Sequence, residues 1–279
     1  MAKQSAEVVV EGLKKILIEE EGMDEEVQEK DKKLIAELQG RPLSPDQDAQ
    51  RLEDGFQFFK NNLFDKYPEI FHELAKGQHP KFLVFACSDS RVSPSIILNF
   101  KLGEAFVSRN IANMVPPFDQ LRHTETGAVI EYAVTALQFC SSFYMVEKIT
   151  CNKGRKRRLQ VENILIIGHS LCGGIQRLMD LPDEHCSHNH TYDFIDDWVK
   201  IGLPAKRKVL EEAYDLPLEE QIKLCEKESV KNSMANLLTY PYVRNAVENG
   251  IMTLRGGYYD FVEGTFEQWK LGPKPCHQQ

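Results

Sequence analysis

Three side chains that bind soft metals follow two apolar runs of the chain. Cys87 comes directly after the run at residues 82–86, and His169 and Cys172 come after the run at residues 163–168. Such runs are typical of buried parallel strands, and the carboxyl ends of these strands are where open α/β sheets place their active sites. Structural zinc sites usually have four protein ligands, whereas catalytic ones keep one position for water. Two thiolates and one imidazole therefore predict a zinc site that does chemistry.

A carboxylate and a guanidinium follow the first of these ligands, at Asp89 and Arg91. An arginine fork would keep the carboxylate of Asp89 oriented and ionised. Asp89 could then accept a hydrogen bond from a metal-bound water or hydroxide and aim it at a substrate. The alternative for Asp89 and Arg91 is an ion pair that only stabilises the loop.

Two further patterns near the second ligand pair allow a functional and a structural interpretation. Gly173 and Gly174 open a predicted helix, where free N–H groups favour an anion and glycines allow close approach of backbone. The same glycines would also serve as plain strand-to-helix punctuation. The His and Cys residues at positions 185–190 could bind metal, but they lie in a polar loop, and we interpret them as a solvated loop with adventitious metal affinity.

Strands and helices alternate after residue 80, which is typical of an α/β fold with a mostly parallel β-sheet flanked by helices. The predicted strands are 82–87, 104–109, 163–168 and 251–256. The predicted helices are 124–138, 173–180, 192–213 and 217–238.

The N-terminal region has its own helical pattern. Apolar residues recur at helical spacing in two segments before Pro42, with polar residues between them. We predict an N-terminal amphipathic helical extension over residues 1–48 and a catalytic zinc domain over residues 49–279. A third helix is predicted from Pro45, with an apolar face that includes Leu52, Phe56, Phe59 and Leu63, and a fourth over residues 68–76.

Seven motifs, spread from about Ala49 to about Trp269, resemble those of the plant-type β-carbonic anhydrases. They lie at residues 87–91, 103–107, 109–117, 131–132, 168–174, 236–241 and 256–261. The resemblance implies reversible hydration of carbon dioxide to bicarbonate and a proton by zinc-bound hydroxide. It also implies one Zn²⁺ per subunit, held by Cys87, His169 and Cys172.

The resemblance extends to the residues around the metal. In some members the aspartate that matches Asp89 leaves its arginine and takes the fourth zinc position, whereas plant members generally keep the pair with Arg91 intact. The implied carbon dioxide pocket has an apolar wall and two donors; its residues are Gln78, Phe106, Ile111, Tyr132 and the backbone N–H of Gly173. Without the resemblance, Phe106, Ile111 and Tyr132 would be interpreted as core residues.

The family also places this pocket at a subunit interface. The resemblance therefore implies a homodimer or a higher even-numbered homo-oligomer. An apolar stripe on a terminal helix must be buried against something, and in this family that is often the partner subunit.

One segment departs from the family pattern. The family passes almost directly from the helix ending near residue 138 to residue 161, whereas this chain interposes an atypical segment, residues 139–160, with a basic run at 153–158. One interpretation is a solvated surface loop, since each doubling of loop length adds only about 0.6 kcal/mol of closure free energy. The other is an artefact of the gene structure, because the dipeptide Leu-Gln both precedes and ends the segment.

Bulk properties exclude several classes of protein. The net charge of −8 makes nucleic-acid binding a poor expectation, and no apolar run approaches the roughly 20 residues of a membrane span. The seven cysteines form no regular disulfide framework, which suits a reducing compartment. The acidic N-terminal segment differs from a transit peptide. We therefore expect a cytoplasmic protein, or one of the chloroplast or another organelle if a leader is missing.

Two other functions compete with the zinc enzyme. Gly168-His-Ser170-Leu-Cys172 resembles the nucleophile elbow of serine hydrolases, although Cys172 replaces the second glycine. A non-enzymatic scaffold would result if the segment at 139–160 disabled the site. All three metal ligands and the Asp89–Arg91 pair are present, which favours an enzyme.

Overall fold

The computed structural model describes residues 45–136, 161–182 and 192–271. The predicted helices before residue 42, the whole atypical segment at 139–160 and the His and Cys residues at 185–190 lie outside the described residues. The chain divides into two compact units, Met1–Glu73 and Leu74–Gln279. The predicted domain boundary after residue 48 stays a prediction.

The described part of the first unit is helical. Helix α1 spans Pro45–Phe59, a π-helical turn follows at Lys60–Phe64, and helix α2, Pro68–Ala75, begins in this unit. The ring of Phe71 lies 5.6 Å from that of Phe59 and 4.8 Å from that of Phe64, so aromatic contacts hold the helices together.

The second unit contains a five-stranded sheet in the order β2-β1-β3-β4-β5. Its strands are β1 Phe82–Cys87, β2 Ala105–Asn110, β3 Asn163–His169, β4 Thr253–Asp260 and β5 Thr265–Leu271. The first four are parallel and β5 pairs antiparallel with β4. The predicted mostly parallel sheet is confirmed.

The sequence prediction was wrong about the side of the sheet formed by β4 and β5. It ended the strand at residue 256 and missed β5 altogether. The pair Gly256-Gly257 lies inside β4 because side chains of β5 pack over it: a Cβ on Gly256 would lie 2.4 Å from Trp269, and one on Gly257 would lie 2.6 Å from Phe266. Glycines here mark close packing and not the end of a strand.

Helices also differ in detail from the prediction. The second unit contains α3 Pro94–Ile97, α4 Thr124–Glu131, α5 Gly173–Asp180, α6 Ile195–Val199, α7 Leu203–Glu212, α8 Leu218–Leu237 and α9 Pro241–Glu248. The single helix predicted at 192–213 is broken by a 3-10 turn at Lys200–Gly202, because Pro204 is accommodated only in the first turn of a new helix. The short helices α3 and α9, which the prediction missed, also open with proline.

The core lies on both faces of β1 and β3. Leu83 and Ile166 face one side, where Val230 and Met234 of α8 pack against them. Alternate residues, such as Val84 and Leu165, face the other side, where the segment after α3 packs. Burial on both faces is why these strands have nearly continuous apolar sequences. No helix within the described ranges is long and apolar enough to cross a bilayer.

Gly168 sets how closely α8 approaches the sheet. A Cβ at this position would lie 2.7 Å from Cγ2 of Val230 and 3.3 Å from the carbonyl oxygen of Glu226. We expect Gly168→Ala to lower the free energy of unfolding by about 1–3 kcal/mol, because the helix must move or the side chain must distort. Urea denaturation would measure this loss.

A matched glycine provides the control. A Cβ on Gly127, inside α4, meets no atom within 4 Å, so Gly127→Ala should raise stability by about 0.5–1 kcal/mol through helix propensity. Equal stability of Gly168→Ala and the unchanged protein would contradict the close packing.

Candidate active site

The three predicted metal ligands lie together at the carboxyl edge of the sheet. Cys87 ends β1 and His169 ends the neighbouring parallel strand β3, while Cys172 immediately precedes α5. All three side chains are buried, and their donor atoms lie within 4.8 Å of one another. The convergence follows from adjacent parallel strands that end at the same edge.

The backbone conformation of Leu171 brings His169 and Cys172 to the same place. Leu171 has a φ of 53°, which turns the chain between His169 and Cys172 so that both side chains reach the same point. This conformation costs a leucine about 1–2 kcal/mol. The carbonyl oxygen of Leu171 accepts a hydrogen bond from Nη2 of Arg91 at 3.3 Å.

The imidazole of His169 is arranged to donate a lone pair. Its Nδ1 lies 2.9 Å from the carbonyl oxygen of Ser170, so the proton is assigned to Nδ1. Its buried Nε2 has no hydrogen-bond partner among the described residues. An oriented neutral imidazole beside two thiols fits zinc, because these are the ligand types that Zn²⁺ takes and a carbonyl commonly orients the histidine.

The two thiols share their ionisation. The hydrogen bond from Cys172 holds the pKa of Cys87 to about 4, although burial opposes this. The same hydrogen bond, together with burial, raises the pKa of Cys172. Burial alone would lower the pKa of His169, but the nearby thiolate of Cys87 and the carbonyl oxygen of Ser170 raise it. The lowered pKa makes Cys87 the thiol that ionises first and is therefore suited to binding a cation.

The carboxylate of Asp89 forms a two-point ion pair with Arg91. Oδ1 accepts a hydrogen bond from Nε at 2.9 Å, and Oδ2 accepts one from Nη2 at 2.6 Å. The guanidinium hydrogen bond lowers the pKa of Asp89 to about 2, against the effect of partial burial. The structure thus has the aspartate held by arginine, which is the form that the resemblance implied for plant members.

Arg109 braces this loop from the neighbouring strand. Its Nε donates to the carbonyl oxygen of Cys87 at 2.8 Å, and its Nη2 donates to that of Asp89 at 2.5 Å. Arg109 pairs with Ala86 in the register of β1 and β2, which places it beside the loop. Arg109 opens the family-like motif at residues 109–117, and its role was not predicted from the sequence.

The pocket residues are only partly brought together. The rings of Phe106 and Tyr132 stack at 5.8 Å, and Ile111 lies against the start of α5, where a Cβ on Gly174 would come 2.8 Å from its Cγ2. Ile111 is 40% exposed and Tyr132 is 42% exposed, so the interpretation of these two as core residues is wrong.

The two predicted hydrogen-bond donors lie in different segments of the chain. Gly173 is the first residue of α5, beside Cys172. Gln78 is exposed in the segment before β1, and no hydrogen bond in the described part of the chain joins it to the other pocket residues. Its role stays a prediction.

The buried carboxylate of Glu226, which was not predicted from the sequence, accepts a hydrogen bond from the loop that carries Cys172. Oε1 of Glu226 accepts the backbone N–H of Cys172 at 2.9 Å, and its Oε2 accepts the hydroxyl of Tyr258 at 2.7 Å. Burial raises the pKa of Glu226, although both hydrogen bonds oppose the rise. Glu226 lies in the middle of α8, far from the loop in sequence, so its role had no local sequence signal.

Removal of this acceptor should destabilise the protein strongly. We expect Glu226→Leu to lower the free energy of unfolding by about 2–5 kcal/mol, because two buried donors lose their acceptor. The matched change Glu226→Gln keeps an acceptor for the N–H of Cys172, and the hydroxyl of Tyr258 can turn to accept the amide, so its loss should be about 1 kcal/mol. Chemical denaturation measures both, and equal losses would show that the acceptor is not needed.

Ser170 is not placed as a nucleophile. Its side chain is 5% exposed, and its Oγ accepts the backbone N–H of Phe261 at 3.1 Å. A nucleophile elbow exposes its serine at the strained turn, whereas here the left-handed residue is Leu171. The arrangement gives no support to a serine hydrolase.

The one further cysteine within the described ranges, Cys225, is a free buried thiol. Burial raises its pKa to about 12, which makes it unreactive. Cys140, Cys151, Cys186 and Cys276 lie outside the described residues.

The known proteins that this chain resembles in sequence are carbonic anhydrases. A family model described as carbonic anhydrase matches residues 82–141 and 156–266, and its gap lies inside the atypical segment at 139–160. The chain is 43% identical over 271 residues to Beta carbonic anhydrase 3 of Arabidopsis thaliana, an alignment that covers 97% of this chain and 96% of the relative.

Solved structures show the same fold. The β-carbonic anhydrase CcaA has a TM-score of 0.67 and 29% identity, and the match covers 82% of this chain and 94% of that one. A tetrameric β-carbonic anhydrase of Sordaria macrospora has a TM-score of 0.63 and 26% identity, covering 81% and 98%. The residues that the family model matches include Cys87, His169 and Cys172, and the chain belongs to the plant-type β-carbonic anhydrases.

Proposed function

We propose that this carbonic anhydrase hydrates carbon dioxide with one Zn²⁺ per subunit, held by Cys87, His169 and Cys172. The observation that carries the proposal is the set of three buried donor atoms within 4.8 Å of one another. The buried Nε2 of His169, which has no hydrogen-bond partner in the described part of the chain, is oriented to serve as a ligand in the same place. When bound, zinc supplies a Lewis acid that lowers the pKa of a water from 15.7 to roughly 7.

Asp89 orients the attacking water in this proposal. The backbone N–H and Nε of Arg91 both donate to Oδ1 of Asp89, and Nη2 donates to Oδ2. These bonds keep the carboxylate ionised and leave one lone pair of Oδ2 to accept a hydrogen bond. With its pKa held at about 2, Asp89 does not take up the proton at neutral pH. It fixes the direction of the water, and the proton passes on to buffer.

The wall formed by Phe106, Ile111 and Tyr132 would receive the substrate. Carbon dioxide is apolar and uncharged, so a pocket for it needs apolar surface with one or two donors. The stacked rings supply that surface, and the backbone N–H of Gly173 and the side chain of Gln78 are the proposed donors.

Exposure of the wall suggests how the pocket is completed. Ile111 and Tyr132 lie on the surface of the isolated chain, which supports a partner subunit covering them in a homodimer or a higher even-numbered homo-oligomer. The relative from Sordaria macrospora is described as tetrameric. We propose a cytoplasmic location for this assembly, with the chloroplast or another organelle as the alternative.

A stopped-flow assay of carbon dioxide hydration, combined with elemental analysis, tests the proposal. The purified protein should contain about one zinc per chain, and a chelator that removes zinc should abolish hydration in proportion. A protein that hydrates carbon dioxide without zinc, or that folds and binds no zinc, would contradict the proposed function.

The same assay decides the role of residues 139–160. That segment leads into β3, which ends at His169. If it is a solvated loop, a variant lacking it should retain both zinc and turnover. If hydration occurs only after its deletion, the segment disables the site, as the scaffold interpretation requires.

A further inference from the structure

Phe261 contacts both Arg91 and His169, and it has no part in the mechanism described above. The centre of its ring is 4.3 Å from Cζ of Arg91. The same ring stacks on the imidazole of His169, with 6.0 Å between centres and 28° between planes. One aromatic side chain therefore contacts both the arginine that holds Asp89 and a metal ligand.

The side chain of Arg91 is placed where a ring contact can add to its polar contacts. It is long, and 39% of it is exposed. Asp89 and the carbonyl oxygen of Leu171 accept hydrogen bonds from the end of the guanidinium, and the ring of Phe261 adds a contact 4.3 Å from Cζ. A ring face within 6 Å of a guanidinium attracts it electrostatically and favours a defined position above the ring.

Phe261 is itself firmly anchored. Its backbone N–H donates to Oγ of Ser170. The turn that follows it is held by Asp260, whose Oδ1 accepts the N–H groups of Val262 and Glu263. The other oxygen of Asp260 pairs with Lys223 of α8 at 2.9 Å. Because the backbone of Phe261 is held at several points, its ring can position the more exposed side chain of Arg91.

We propose that Phe261 is a positioning residue: its ring holds the guanidinium of Arg91 above it and so keeps the carboxylate of Asp89 aimed, while covering one face of His169. The proposal rests on the proposed function. It assigns to this side chain a part in catalysis that acts through Arg91 and Asp89, without contact with substrate.

The test compares variants that keep or remove the ring. Phe261→Leu and Phe261→Met keep apolar volume and lose the aromatic face, whereas Phe261→Tyr keeps it. We expect kcat/KM for carbon dioxide hydration to fall about fivefold to tenfold in the first two and to stay within about twofold in the third. Zinc content should stay at about one per chain in all three.

Phe266→Leu is the matched control. It removes the same ring from β5, where Phe266 packs over Gly257, and where no ring contact with Arg91 or His169 occurs among the described residues. Its kcat/KM should equal that of the unchanged protein.

A double-mutant cycle separates positioning from plain structure. In an Asp89→Asn background, Phe261→Leu should produce no further fall in kcat/KM, because the ring acts through the Arg91–Asp89 pair. An equal fall in both backgrounds, a loss of zinc in Phe261→Leu and Phe261→Met, or full kcat/KM in both would each overturn the proposal. Absence of zinc or hydration in the unchanged protein would instead refute the proposed function.

Discussion

Asp89→Asn is expected to leave zinc bound and to lower kcat/KM for carbon dioxide hydration by about 100-fold, or about 2.7 kcal/mol of barrier. Asparagine has the same shape, but its amide is a weaker acceptor. Its NH₂ group would also face Nη2 of Arg91, where Oδ2 now accepts at 2.6 Å. Both the aim of the attacking water and the arginine contact are lost, while the three metal ligands are untouched.

Stopped-flow kinetics and zinc analysis on the same preparation check this result. Asp180→Asn serves as a control, because Asp180 is an exposed carboxylate at the end of α5 that pairs only locally, with Gln176, in the described structure. It should retain full activity. Unchanged turnover in Asp89→Asn would remove Asp89 from the mechanism.

The pH dependence of stability has a defined sign. The pKa of Asp89 is about 2 in the folded protein, below the value of about 3.9 in an unfolded chain. The pair with Arg91 therefore contributes its full stability above about pH 4 and loses it as the pH falls toward 2. The difference in unfolding free energy between the unchanged protein and Asp89→Asn should be flat from pH 5 to 8 and shrink in acid, and a slope near neutral pH would contradict this assignment.

Cys172→Ser is expected to abolish zinc binding and hydration together. The hydroxyl stays protonated, so the site loses one of its two soft anionic ligands. Loss of an outer partner of a ligand already costs about 10 to 100-fold in metal affinity, so loss of the ligand itself should exceed about 100-fold. The fold should survive, because the backbone N–H of residue 172 can still donate to Glu226.

Cys225→Ser is the matched control for this change. Cys225 is equally buried, but it lies in α8 and is not one of the clustered ligands. The variant should lose some stability, since a hydroxyl replaces a thiol in an apolar core, and should retain about one zinc per chain. Stoichiometric, chelator-resistant zinc in Cys172→Ser would show that a different set of residues holds the metal.

The clustering of three potential metal ligands could be predicted because Cys87 and His169 end adjacent strands and Cys172 follows His169 by three residues. The strands β1 and β3 are almost wholly apolar, so their ends could be located, and adjacent parallel strands bring their ends together. Cys87, His169 and Cys172 could therefore be grouped without knowledge of the rest of the fold.

Other parts of the site and the fold could not be predicted in this way. Strand β5 is mostly exposed and follows a strand that contains two glycines, so neither apolar alternation nor a clear boundary marked it. Glu226 reaches Cys172 from the middle of a long helix, and Phe261 reaches Arg91 from the end of β4. These contacts depend on how helices and strands pack, for which local sequence carries no signal.

The peptide unit that follows the α-carbon of Leu171 joins the two chemical parts of the centre. Its oxygen faces the guanidinium of Arg91, and its nitrogen is the amide of Cys172, whose hydrogen points to Glu226. One rigid plane thus spans from the surface ion pair to the buried carboxylate, with a ligand attached to it. Rotation of that plane would disturb both hydrogen bonds at once, so this short turn couples the position of Arg91 to that of the buried Glu226.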